Sequence, residues 1–120
     1  MTTQEPCDLT QLRNSLRQFA AERDWDQFHS PKNLAMALAV EAAELLERFQ
    51  WVTEEDSKRL PPADLAAVRE EMADVLNYLV RLADKLDVNL LEAAAEKIVL
   101  NAQKYPVDKS RGSAKKYSEL

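Results

Sequence analysis

The chain has 120 residues, a single glycine and a formal charge of −5. That length holds one domain, spanning 1–120, with no second independent core, and the acidic balance excludes a general nucleic-acid binder, whose footprint would be net basic. One cysteine, Cys7, and one histidine, His29, allow neither an internal disulfide nor a zinc set.

Alanine, leucine and glutamate dominate, no Asn-Gly or Asp-Gly pair occurs, and all five prolines lie outside the strongly periodic segments. Sheets spend such pairs at their hairpins, so the expected class is all-α. No apolar run approaches the roughly 20 residues of a membrane span. The N-terminal MTTQEPCD carries no basic region followed by an apolar one, so it does not read as a secretory signal. A cytoplasmic protein is expected.

Four helices are predicted. The first runs from about Leu9 to Arg23, capped by Asp8 with Gln11 as capping-box partner, and its apolar stripe is Leu9, Leu12, Leu16 and Phe19. An aromatic-rich connection, Trp25 to His29, leads to Ser30-Pro31, which reads as N-cap plus first helical residue. The second helix runs to about Phe49 on a stripe of Leu34, Leu38, Leu45 and Phe49, and Met36 and Val40 make it apolar on another side as well. A polar connection from Gln50 to Pro62 carries Trp51. The third helix runs from about Pro62 to Leu86, with Leu65, Val68, Met72, Val75, Leu79, Leu82 and Leu86 on one side. Asn89 caps the fourth, which reaches Tyr105, where Pro106 stops it. The tail, about 107–120, is basic in its middle and expected to be irregular. Four such helices make a thin core, so a four-helix-bundle-like protomer that buries its spare apolar face by self-association is expected.

The informative feature is where four carboxylates fall. Glu41 lies three residues after Leu38 and four before Leu45, so it projects from the face of the buried leucines, and Glu44 follows at i+3. The third helix repeats the arrangement with Glu71, between Val68 and Val75, and Asp74. Antiparallel packing would let all four converge. Desolvating unpaired carboxylates costs several kcal/mol each, so either their pKa values rise or cations neutralise them. Magnesium, a hard ion taking oxygen ligands, is the natural candidate. The bland alternative is a solvated acidic face, with Glu44 paired to Arg48 at i+4.

With Glu41-Ala-Ala-Glu44 on one helix and Glu71-Met-Ala-Asp74 on the next, the sequence resembles the MazG-like all-alpha pyrophosphohydrolases, whose signature is E-x-x-E followed by E-x-x-D. The segments RDWDQFHSPKNLAMALAVEAAELLERFQW, EEMADVLNYLVRLADKLDV and KYPVDKSRGSAKKYSEL look like the dCTP pyrophosphatase subgroup, and the likeness covers nearly everything from Leu9 to Leu120. The resemblance implies magnesium-dependent hydrolysis of (deoxy)nucleoside triphosphates to the monophosphate and pyrophosphate, in house-cleaning of the nucleotide pool. It also implies a homotetramer built as a dimer of dimers.

It further assigns roles that the residues alone leave open. Tyr78 shares the carboxylate face at i+4 from Asp74 and reads equally as a core-edge tyrosine, while Trp25, His29 and Trp51 sit in connections, where binding residues often lie. Positions matching these four line the base pocket in the resembling enzymes, where flat rings suit bases. Lys97, Asn101 and Lys104, at i, i+4 and i+7 with Tyr105 beside them, read as a solvated face or a phosphate grip, and the family likeness, through Lys97, Asn101 and Tyr105, favours the grip. The tail cations Lys109, Arg111, Lys115 and Lys116 either close over the polyphosphate or form a disordered end.

The expected chemistry is magnesium-assisted attack of water at the α-phosphorus. One carboxylate, with Glu41 nominated, or a hydroxide on the metal activates the water. The rival from another class is a non-catalytic helical interaction module with a cation-binding acidic face. A ferritin-like di-iron site is set aside, because His29 follows no glutamate at the Glu-x-x-His spacing.

Overall fold

The structure, a computed structural model, describes residues 5–120. Residues 1–4, part of the N-terminal stretch read above for a signal, lie outside the described residues. Every regular element among the described residues is helical: α1 (Leu9–Glu22), α2 (Pro31–Glu47), α3 (Glu54–Ser57), α4 (Pro62–Lys85), α5 (Leu90–Lys104) and α6 (Val107–Ser110), with 3-10 turns at Asp26–Phe28 and Tyr117–Glu119. The four expected helices are α1, α2, α4 and α5, each ending one or two residues earlier than read. None of the described helices is long and apolar enough to cross a membrane.

The helix starts follow from local chemistry. Asp8 Oδ1 accepts from the Gln11 backbone N–H at 2.7 Å, Ser30 Oγ from Asn33 N–H at 3.2 Å and Asn89 Oδ1 from Glu92 N–H at 3.0 Å. The Gln11 side chain returns its bond to Cys7 N–H at 2.7 Å, one residue before the position a strict capping box uses. Thr53 caps α3 in the same way through Asp56 N–H at 3.1 Å. The end of α1 is a Schellman turn, with Trp25 N–H on Ala20 O at 2.9 Å and Asp24 N–H on Ala21 O at 3.1 Å. Asp24 stands where glycine is usual, at φ 53°. This turn reverses the chain and sends Trp25 back across the end of α1.

Two compact units divide the chain, Met1–Asp87 and Val88–Leu120. In the first, α4 packs against both α1 and α2, around the buried side chains of Ala20, Leu34, Val68, Val80 and Ala83. The α2–α4 pair is antiparallel: His29, before α2, meets Arg81, whereas Arg48, at the other end of α2, meets Glu71. The broad apolar side of α4 splits into two seven-residue rows. Val68, Val75 and Leu82 are buried or half-buried, but Leu65, Met72, Leu79 and Leu86 are exposed. The expected stripe is therefore wider than what unit 1 covers. Met36 and Val40 on α2 are exposed too, as their position on a second side of that helix predicts.

In the second unit, Leu91, Ile98, Val99 and Leu100 of α5 are exposed. The tail is less irregular than expected. Its two short helical turns bring Tyr117 edge-on to Tyr105, with ring centroids 6.0 Å apart, and Lys104 Nζ lies 5.0 Å from the Tyr117 ring centre.

Candidate metal centre and the cavity along α4

The antiparallel α2–α4 pair brings Glu41, Glu44 and Glu71 together: each offers a carboxylate oxygen, and all three oxygens lie within 4.8 Å of one another. Oε2 of Glu41 and Oε2 of Glu71 are buried and have no hydrogen-bond partner. A buried carboxylate oxygen without a donor costs free energy that only a cation or a proton recovers. The nearby cation is Arg48, which donates to Glu71 Oε1 at 3.3 Å across the helix interface and not to Glu44 on its own helix. Against three carboxylates one arginine is insufficient. The Glu44 carboxyl is accordingly pushed up to about 7, first by its hydrogen bond and charge interaction with Glu41, then by burial and by Glu71.

The donor set is made of carboxylate oxygens alone, which suits a hard divalent cation. The two orphaned oxygens are the places where such an ion would replace missing donors, so these residues fit the group that the acidic pattern implies. Asp74 is not among the three. It sits one turn further along α4, is exposed, and lines a cavity of about 340 Å³.

That cavity lies between α1 and α4. Ser15, Leu16 and Phe19 of α1 form one wall, and Asp74, Asn77, Tyr78 and Arg81 of α4 form the other, with Trp25 and His29 from the connection. Trp25 meets Phe19 and His29 edge-on, at centroid separations of 5.7 and 6.1 Å. Three of the four expected aromatic and imidazole contacts, Trp25, His29 and Tyr78, thus converge. Trp51 does not join them; it follows α2 in a turn and is 88% exposed.

Asn77 and Arg81 were not anticipated. Their signal is the run Asp74, Asn77, Tyr78 and Arg81 at i, i+3, i+4 and i+7, which is one helix face. Arg81 is buried, and its guanidinium is shared between Asp26, Asp84 and His29 Nδ1. Burial, followed by the charge of Arg81, holds the His29 imidazole below its ordinary range, while Asp26 pulls the other way. Asp84 is held low chiefly by its hydrogen bond to Arg17 and Asp26 by that to Lys85.

Lys97 and Asn101 lie exposed on α5 in the second unit, and Tyr105 is its C-cap residue.

The profile of the MazG-like family matches residues 36–120, a stretch that takes in all four acidic positions. The chain belongs to the MazG-like family. This MazG-like chain is 50% identical over 114 residues to dCTP pyrophosphatase 1 of Mus musculus, the match covering 93% of the chain and 67% of that protein. Its identity to the Homo sapiens protein of the same name is 46%, with the same coverage. Among solved structures it resembles a pyrophosphatase from Archaeoglobus fulgidus with a TM-score of 0.78 at 37% identity, over 88% of this MazG-like chain and 99% of that one.

Proposed function

We propose that this chain is a nucleoside triphosphate pyrophosphohydrolase, releasing the monophosphate and pyrophosphate. One observation carries the reading: two buried carboxylate oxygens lack donors, on Glu41 and Glu71, and Glu71 stands one helical turn before Asp74, which lines a cavity shared with Trp25, His29 and Tyr78. A cation site adjoining a ring-lined cavity suits a substrate with a polyphosphate at one end and a flat base at the other. At about 340 Å³ the cavity is near the lower end of small-molecule sites, roughly 300–1,000 Å³. A non-catalytic interaction module gives no reason for that juxtaposition.

Magnesium is the proposed cation, held by Glu41, Glu44 and Glu71 with Asp74 completing the set from the cavity side. When bound, it supplies neutralisation of the charge on the triphosphate oxygens. The chain's own groups do the rest. Glu41 is the proposed acceptor for the proton of the attacking water. Trp25, His29 and Tyr78 grip the base, and Asn77 adds an amide to the same wall. Trp51, Lys97, Asn101 and Tyr105 are kept as proposed substrate contacts, each to be tested by substitution. The proposed substrates are dCTP and related deoxynucleotides, modified ones included, in keeping with the names of the mammalian relatives. The setting is the cytoplasm, where such triphosphates are made and used. One catalytic domain spanning 1–120 and a homotetramer complete the proposal, the latter supported by the exposed apolar row of α4.

Hydrolysis of a panel of standard and modified nucleoside triphosphates with magnesium tests it. Monophosphate plus pyrophosphate, lost on adding EDTA, is the expected result, and the rate ranking gives the base preference. Diphosphate plus phosphate, or no product from any nucleotide, would sink it.

A further inference from the structure

Resting on the base-pocket reading above, we propose that Arg81 is a positioning residue: it holds His29 in the tautomer protonated on Nε2, so that the ring offers the bound base a hydrogen-bond donor and not an acceptor. Arg81 Nε donates to His29 Nδ1 at 3.2 Å. A guanidinium has five donors and no acceptor, so the nitrogen it meets must present a lone pair. The proton of the neutral ring is therefore on Nε2. A permanently charged neighbour also disfavours a second proton on the ring. His29 lines the cavity, and its Nε2 makes no hydrogen bond among the described residues.

The hold is rigid because Arg81 is itself held. Its side chain is 6% exposed, and its two terminal nitrogens go to Asp26 and to Asp84, the latter at 3.4 Å. Asp84 is in turn engaged by Arg17, whose Nε donates to Oδ2 at 2.7 Å, and Asp26 by Lys85 at 3.0 Å. Two carboxylates thus orient the guanidinium, and the guanidinium orients the imidazole. This is the arrangement by which a second group, not the contacting one, decides the polarity of a site.

The consequence is a choice among bases. Cytosine carries an unprotonated ring N3 beside its O2, and both accept from a donor. Thymine and uracil share the O2 acceptor but carry N3–H, so a donor set against ring N3 meets a donor. A buried polar group left without its complement costs far more than a lost contact. A fixed Nε2–H set against ring N3 therefore favours cytosine.

The test has two arms. His29 is the only histidine, so a 15N-labelled sample gives a single imidazole pattern in a long-range 1H–15N correlation spectrum near neutral pH. The expected pattern is protonated Nε2 with a hydrogen-bonded, unprotonated Nδ1 that loses its hydrogen-bond shift in Arg81→Met. A proton on Nδ1, or a doubly protonated ring, overturns the proposal. The variant keeps its fold because Asp84 retains Arg17 and Asp26 retains Lys85, and circular dichroism checks this.

In the kinetic arm, Arg81→Met is expected to raise KM for dCTP about tenfold with kcat little changed, and to lower the preference for dCTP over dTTP. In a His29→Ala background the same substitution should add nothing. An equal effect with and without His29, or no effect in either, overturns the positioning role. If His29→Ala alone leaves KM and the base preference untouched, the base-pocket reading has failed. The spectrum still reports separately whether Arg81 holds the ring.

Discussion

Arg48, the C-cap residue of α2, donates to Oε1 of Glu71 of α4 at 3.3 Å, while Oε2 of the same carboxylate lies buried without a partner. One carboxylate thus faces a protein cation on one side and unmet demand on the other. Arg48 is half exposed, so the pair itself contributes no more than about 1 kcal/mol. Its larger effect is to compete with a metal ion for Glu71. Arg48→Met should melt slightly lower than the parent without metal and bind magnesium more tightly, so that the difference in Tm closes or reverses in magnesium. Melting curves with and without magnesium, with calorimetric titration, check this. An unchanged metal affinity would make Arg48 a bystander.

The acidic cluster also sets a pH dependence. Glu44 is raised from an ordinary carboxylate value of 4.5 to about 7 in the folded chain. Between those values the folded state binds more protons than the unfolded one, so this group's contribution to stability is full below about 4.5 and is lost as pH rises to about 7. The depressed Asp26 and Asp84 act with the opposite sign and in a lower window, losing their contribution as pH falls below 3.8. His29, held below its ordinary 6.5 in the folded chain, opposes Glu44 within the same range, so the readout is a difference: relative to Glu44→Gln, the metal-free parent should lose stability between about pH 5 and 7. Magnesium must displace the same proton, so its affinity should rise through this range and then level. A metal-free stability difference between parent and Glu44→Gln that stays flat from pH 5 to 7 would refute the clustering.

Substituting the buried ligand separates function from stability. Glu41→Gln removes one charge from the cluster while keeping the shape, and turnover should fall by about 10²-fold or more. The metal-free protein should be no less stable than its parent, since like-charge repulsion is relieved. Asp74→Ala should also lose activity with the helical spectrum preserved, because Asp74 lies where the carboxylates and the cavity adjoin along α4. Retained turnover in either variant would remove that residue from the mechanism, and steady-state assays beside circular dichroism decide it.

What was legible in the sequence was what neighbouring residues decide. Asp8, Ser30 and Asn89 cap their helices as read because a cap needs only three residues. The convergence of Glu41, Glu44 and Glu71 was legible because carboxylates on a leucine face must meet whatever that face packs against. Asp24 was missed because an aspartate took the left-handed turn position normally flagged by glycine. Helix spacing pairs Arg48 with Glu44 because it sees only one helix, whereas the partner in the fold is 23 residues away on another. Arg81 is not legible from spacing for the same reason, its partners Asp26 and His29 being more than 50 residues earlier. The α4 stripe was read as one face because seven-residue spacing cannot tell a row that packs within the protomer from one left for something else.

That exposed row yields the last prediction. Leu65, Met72 and Leu79 stand 55%, 58% and 36% exposed on α4, and Met36 and Val40 stand 61% and 56% exposed on α2. A monomer seldom leaves so many large apolar side chains in water, and an obligate interface is built from such residues. The proposed tetramer should have about four times the 13.7 kDa chain mass by light scattering at micromolar concentration. Met36→Lys with Leu65→Lys should yield smaller species that keep their helical spectrum but melt lower, since two charges per protomer would have to be desolvated at each contact. A parent protein that runs as a monomer under these conditions would end the tetramer proposal. A monomer that still turns over nucleotide would show in addition that one protomer carries the whole site.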